Sequence, residues 1–289
     1  MSAINKYRKK IKSAKNIAKI TKAMQMVAAS KMKKAQISAM KSKVYTRELT
    51  NLSKILSSQV DEQVHPLMRK DIGGKNLIFV IASEKGLCGS LITNMSRKLI
   101  EIIGSTDLSA TDFIVVGKKA KYVVGKIGGN IIGEFSLGIS APRYELVPPI
   151  ARLIEQKFIS GEVGKVTCLY TEFYTTINQE ALYKILLPLN LAGIDLGDNQ
   201  ETVYDSYVKF EPSVDLICEE FLSIYLETEI YQLLLESFAS EQSARMVAMK
   251  NATDNAKSLI SQLTLEYNKK RQELITAEIT DIGNAVSVQ

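Results

Sequence analysis

The stretch Met246-Val-Ala-Met-Lys-Asn-Ala-Thr-Asp-Asn-Ala-Lys-Ser-Leu-Ile-Ser-Gln-Leu-Thr-Leu-Glu-Tyr267 decides the fold. Met246, Met249, Thr253, Ala256, Ile260, Leu263 and Tyr267 recur at spacings of 3, 4, 3, 4, 3 and 4, the signature of a helix that buries one seam against another helix. A second such pattern lies near the other end. Ile4, Tyr7, Ile11 and Ala14 are spaced 3, 4 and 3, and after a shift of three the pattern resumes at Ile17, Ile20, Met24 and Val27. The shift from Ala14 to Ile17 predicts a local change of winding.

Working outward, the helix breakers mark the extent of both helices. Of the 16 glycines all but Gly283 lie between Gly73 and Gly197, and the six prolines fall at positions 66, 142, 148, 149, 188 and 212. Residues 1–65 and 213–282 therefore hold neither breaker. Gly and Pro cost about 1 and 3 kcal/mol in a helix interior, so these stretches read as two very long helices. At about 1.5 Å per residue each could reach roughly 100 Å, which predicts a rod projecting from a smaller core. An isolated helix gains little from propensity alone, so the two are expected to pair.

Between them the pattern changes. The β-branched runs Asn76–Ala82, Phe113–Val116, Lys165–Tyr170 and Ala181–Leu187 alternate with helical stretches at Leu91–Ile103 and Leu146–Ser160. Continuous apolar strands separated by helices predict a Rossmann-like, mostly parallel α/β sheet covered on both faces. The expected organisation is α/β plus coiled coil: an N-terminal coiled-coil helix over 1–65, an inserted α/β domain over 66–212 and a C-terminal coiled-coil helix over 213–289. Because the chain leaves and re-enters the domain near 66 and 212, the helices should run antiparallel, with residues 1–22 opposite roughly 251–272.

Charge is unevenly spread. The 289 residues carry 37 Lys and Arg against 31 Asp and Glu, a net charge of +6. Residues 1–47 hold fourteen of the bases and no acid, so the remainder carries 23 − 31 = −8. Arg8, Lys12, Lys15, Lys19 and Lys22, at spacings of 4, 3, 4 and 3, form a basic stripe, with Lys9 beside it. The stretch expected opposite it offers only Asp254 and Glu266 among Lys257, Lys269, Lys270 and Arg271. The stripe is thus either a solvated helix face or a surface for an external acidic partner, whether protein, phospholipid or nucleic acid. Interleaved aromatics and zinc-finger or RNP patterns are missing, which disfavours nucleic acid.

Catalytic signatures are scarce. One histidine, His65, precedes Pro66, so His-based triads and HExxH sites are not expected. Cys88, Cys168 and Cys218 lack zinc-like spacing and read as buried reduced thiols; neither a metal nor a cofactor is expected. Gly86-Leu-Cys-Gly89-Ser90 and Gly117-Lys118-Lys119 follow strands but match neither phosphate-loop pattern, and read as tight strand-to-helix turns. No uncharged apolar run reaches the ~18 residues that a membrane span requires, and the N-terminus lacks an export signal.

Ile20-Thr-Lys-Ala-Met-Gln-Met-Val-Ala-Ala-Ser-Lys31 resembles the N-terminal signature of the gamma subunit of F-type ATP synthase. Arg245-Met-Val-Ala-Met-Lys-Asn-Ala-Thr-Asp-Asn-Ala256, with Tyr267-Asn-Lys-Lys-Arg-Gln272, resembles its C-terminal one, and Gly86-Leu-Cys-Gly89 its central motif. The resemblance implies a central-stalk rotor with no catalysis of its own. It would turn inside a hexamer of alpha and beta subunits, rest on the c-subunit ring and hold the epsilon subunit, coupling proton flow to ATP synthesis or hydrolysis. It further implies that Arg8, Lys9, Lys12, Lys15, Lys19 and Lys22 face acidic loops of the beta subunits. Gln242 and Arg245 would meet a catalytic subunit's loop, and Ile279, Ile282, Val286 and Val288 would run in the hexamer's collar. No nucleic acid partner is implied, and membrane association comes through the complex only, on the cytoplasmic face of a bacterial inner membrane. Two places depart from the family: Ser90-Leu91-Ile92-Thr93-Asn94 stands where another Gly and an Asn are usual after Gly89, and Ala277 where Gln is common.

Overall fold

A computed structural model describes residues 2–57, 65–69, 73–104, 107–138, 140–189, 211 and 213–287. Two long helices bracket a sheet, α1 over Ser2–Ser57 and α5 over Val214–Ser287. Between them lie β1 (Lys75–Ile81), α2 (Leu91–Gly104), β2 (Thr111–Val116), α3 (Lys118–Lys126), β3 (Asn130–Phe135), α4 (Val147–Ile159), β4 (Val163–Phe173) and β5 (Gln179–Leu187). Both α3 and β3 escape the sequence reading because each carries a residue poor for its type, Gly125 in the helix and Gly133 in the strand. A Cβ at Gly133 would lie 2.8 Å from the end of the Leu153 side chain, which would have to shift.

The chain forms two compact units, Met1–Ala29 with Arg245–Gln289, and Ser30–Ala244. In the second unit the sheet order is β3-β2-β1-β4-β5, parallel except for the antiparallel β5. Alternation along β1 sorts its side chains to two faces. Leu77, Phe79 and Ile81 join one core with α4, through Ile150, Ile154 and Phe158. Ile78 and Val80 join the other with Met95 and Leu99 of α2 and Val123 and Val124 of α3. Burying each such side chain contributes about 1.5–3 kcal/mol.

The first of these cores includes Leu49 and Leu56 of α1, and Phe221, Leu222, Leu226, Ile230 and Leu233 of α5. The inner ends of both long helices therefore cover one face of the sheet. The compact units divide within the two long helices, at Ala29/Ser30 and Ala244/Arg245, and residues 58–64 and 212 beside the expected boundaries lie outside the described residues.

In the first unit α1 and α5 pair antiparallel. Arg8 lies beside Tyr267 and Thr21 beside Thr253, as the opposition of 1–22 with 251–272 requires. The C-terminal seam is as expected, with Met249, Thr253, Ala256 and Leu263 buried. The N-terminal seam is as expected over Ile4, Tyr7, Ile11 and Ala14, and is corrected beyond Ala14, where Met24 is half-buried but its companions are not. Tyr7, Ile11, Ala14, Ala18, Thr21, Gln25 and Ala28 are buried or half-buried, whereas Ile17, Ile20 and Val27 are 51%, 59% and 54% exposed. The 3 and 4 spacing runs on without a shift. Small and polar residues carry it because Thr21 has a partner for its hydroxyl in Thr253, at 2.7 Å, so ranking positions by hydrophobicity selects the neighbouring line.

Candidate functional site: a basic stripe on the coiled coil

Once the seam is placed, the stripe acquires a regular position. Arg8, Lys12, Lys15, Lys19 and Lys22 each follow a seam residue by one, namely Tyr7, Ile11, Ala14, Ala18 and Thr21, and all five are exposed, as is Lys9. Ile17, Ile20, Met24 and Val27 each precede the seam residues Ala18, Thr21, Gln25 and Ala28. One flank of the α1 seam is therefore cationic and the other apolar.

Among the described residues no carboxylate pairs with the stripe. In the same unit Asp254 pairs with Lys257 at 3.5 Å and Glu273 with Lys270 at 2.6 Å, both within α5. Arg8 instead donates from Nη2 to the Tyr267 hydroxyl at 3.2 Å, its guanidinium carbon 6.0 Å from the ring centroid. Lys22 donates to the Gln25 side-chain oxygen at 3.3 Å. The cations thus retain their charge for an external anion, and neighbouring like charges raise the local potential.

Gln242 and Arg245 are placed differently from the stripe. Gln242 is 3% exposed and donates to Glu241 at 3.3 Å, and Arg245 is 9% exposed. In the second unit this part of α5 lies under the β4–β5 hairpin through three serines. The Thr171 amide donates to Ser237 Oγ at 3.3 Å, Ser240 Oγ donates to the Thr171 carbonyl at 3.1 Å, and Ser243 Oγ donates to the Thr176 carbonyl at 2.9 Å. Sequence reasoning missed this clamp, although serines at i, i+3 and i+6 on an otherwise apolar helix face are a legible sign of polar partners. Of the tip residues, Ile279 is 64% exposed. The side chains of Ile282 and Val286, and Val288 altogether, lie outside the described residues.

The remaining chemical candidates are structural. His65 Nδ1 accepts from the Leu67 amide at 3.2 Å and caps the turn at Pro66; burial pushes its pKa down, against the opposing pull of Glu219. Cys88, Cys168 and Cys218 are buried thiols, and burial raises Cys168 well above the usual thiol range. In the turn after β1, Leu87 and Gly89 have φ of 65° and 60°. Gly117, at φ 91°, lets β2 pass β1, because a Cβ there would lie 2.2 Å from the Ala82 carbonyl oxygen. Among the described residues no cluster of metal-ligating side chains occurs.

One unit is a long antiparallel helix pair with an exposed basic stripe, the other a mixed sheet with helices on its faces, the class of a coiled-coil subunit with an inserted α/β domain. The family model described as ATP synthase matches residues 3–287. The ATP synthase gamma chain of Dehalococcoides mccartyi (strain ATCC BAA-2100) is 40% identical over all of both chains, and that of Methylacidiphilum infernorum 36% identical over 99% of this chain and 98% of its own. Among solved structures, the central stalk and c-ring of Tetrahymena thermophila mitochondrial ATP synthase aligns at TM-score 0.62 and 26% identity, covering 81% of this chain and 99% of that one. The rotor of the Euglena gracilis mitochondrial enzyme shares the fold at TM-score 0.65 and 21% identity, covering 95% and 99%. The chain belongs to the ATP synthase gamma-chain family, and is a non-catalytic subunit of the central stalk of that membrane-bound complex. No described helix is long and apolar enough to cross a membrane, consistent with peripheral association.

Proposed function

We propose that this chain is the shaft that turns inside a hexamer of alternating alpha and beta subunits and couples proton flow through a c-subunit ring to ATP synthesis or hydrolysis at the beta sites. The observation that carries the contact surface is the exposed stripe Arg8, Lys9, Lys12, Lys15, Lys19 and Lys22, which no described carboxylate neutralises. Acidic loops of the beta subunits supply the missing anions. An asymmetric shaft presents a different face to each catalytic site, and rotation biases a site because the contact energy differs between its open and closed states.

The α/β domain rests on the c-ring and holds the epsilon subunit, on the cytoplasmic face of a bacterial inner membrane. Ile279, Ile282, Val286 and Val288 run in the hexamer's apolar collar, and the exposure of Ile279 supports that placement. A catalytic subunit's loop docks at 241–245. Since Gln242 and Arg245 are buried in the chain alone, this contact requires the side chains over them to shift.

Coexpression with cognate alpha and beta subunits, followed by native mass spectrometry and an ATPase assay on the same sample, tests the reading. One copy per three alpha–beta pairs, with turnover dependent on it, is the expected result. A free chain without effect on turnover would refute it.

A further inference from the structure

Arg8 differs from the other stripe cations in how it is held. It is exposed, yet it is tied across the coil to Tyr267, which occupies a half-buried seam position on α5. The phenolic oxygen accepts one N–H at 3.2 Å and the ring lies under the guanidinium. An anchoring carboxylate would fix the side chain equally well but would cancel its charge. A phenol fixes it and leaves the charge and the remaining donors of the guanidinium fork available. Among the described residues Lys22, too, has a neutral side-chain partner, the oxygen of Gln25. Farther along α5, Glu273 pairs with Lys270 at 2.6 Å, and among the described residues no carboxylate pairs with Arg8.

We propose that Tyr267 is a positioning residue for Arg8: it orders the guanidinium across the α1–α5 seam without neutralising it, and presents the free N–H donors to a carboxylate on a loop of the surrounding subunits. The inference rests on the reading that the stripe meets acidic loops, and it assigns the bidentate contact in that interface to Arg8. A guanidinium donates two parallel hydrogen bonds to a carboxylate only in a defined orientation, which is what ordering by Tyr267 supplies. A freely rotating Arg8 would lose side-chain entropy on docking that the tethered one has already lost on folding.

The test uses the complex assembled with cognate alpha and beta subunits and carrying Arg8→Ala, Tyr267→Phe or both, with ATP turnover and the salt dependence of retention in the hexamer as readouts. Tyr267→Phe keeps the seam ring and removes only the hydroxyl. The expected result is a loss of about threefold for Tyr267→Phe and a larger one for Arg8→Ala, with the double variant no worse than Arg8→Ala, since the hydroxyl acts through that side chain. Losses that multiply in the double variant would show that Tyr267 acts through the seam and would overturn the inference. So would a wild-type Tyr267→Phe complex alongside an impaired Arg8→Ala one. An unimpaired Arg8→Ala complex would remove the stripe reading itself at this position, and the inference with it.

Discussion

At the residue scale, two hydroxyls set the line of the coil. Thr253 donates to the Met249 carbonyl at 2.8 Å and meets Thr21 at 2.7 Å, forming a short polar chain inside an otherwise apolar seam. Thr21→Val or Thr253→Val should each lower unfolding free energy by about 1 kcal/mol. Their double-mutant cycle, measured by denaturant unfolding, should show coupling, because the pair is in direct contact. Tyr267 gives a pH signature. The hydrogen bond from Arg8 holds its pKa below the ordinary tyrosine value, with Arg271 adding to the effect and burial opposing it. A depressed folded-state value favours the deprotonated form, so this contribution is present above the unfolded value and is lost as pH falls through the lowered one. Coil stability should therefore gain a small increment as pH rises toward that of a free tyrosine. An Arg8→Ala chain followed by thermal unfolding over the same range should lack it.

At the element scale, α5 shows how much a pattern can and cannot say. The seam from Met246 to Tyr267 was legible because its apolar side chains follow the helical period without interruption. On α1 the eye follows Ile17, Ile20, Met24 and Val27, yet these flank the true line, which Ala18, Thr21, Gln25 and Ala28 carry. Hydrophobicity marks a seam only when large residues fill it, and here small and hydrogen-bonded ones do. The serine clamp on α5 is a second feature that needs its partner strand to be recognised. Ser240 is fully buried and donates to the Thr171 carbonyl. Ser240→Ala should cost about 1 kcal/mol, and amide hydrogen exchange in the hairpin turn between β4 and β5 should quicken while β1 and β2 stay protected.

At the scale of the whole molecule, charge is divided unevenly between the chain's parts. Residues 1–47 carry fourteen cations and no acid, and the stripe within them has no described carboxylate partner. Replacing Arg8, Lys12 and Lys15 together by Gln should leave helix content and the sheet unchanged, because none of the three lies in a core. In the assembled complex it should weaken ATP-coupled turnover several-fold and flatten the dependence of assembly on salt, as expected when charges facing an acidic surface are removed. Unchanged turnover and salt dependence would dissociate the stripe from the catalytic subunits.

What the sequence determined by itself was whatever depends on local chemistry. The breaker-free ends dictated two long helices, the β-branched runs between them a parallel-rich sheet, and the clustering of Lys and Arg a basic flank. The antiparallel opposition of 1–22 with 251–272 followed from chain continuity alone. The tertiary structure decided which of two adjacent lines on α1 is buried, where β3 and α3 form, and that the inner ends of α1 and α5 cover one face of the β3-β2-β1-β4-β5 sheet. It also placed Gln242 in the interior. Helix propensity and charge act over a few residues and can be read in order, whereas burial is settled between residues far apart in the chain, such as Thr21 and Thr253, whose hydroxyls satisfy each other only once the two helices meet.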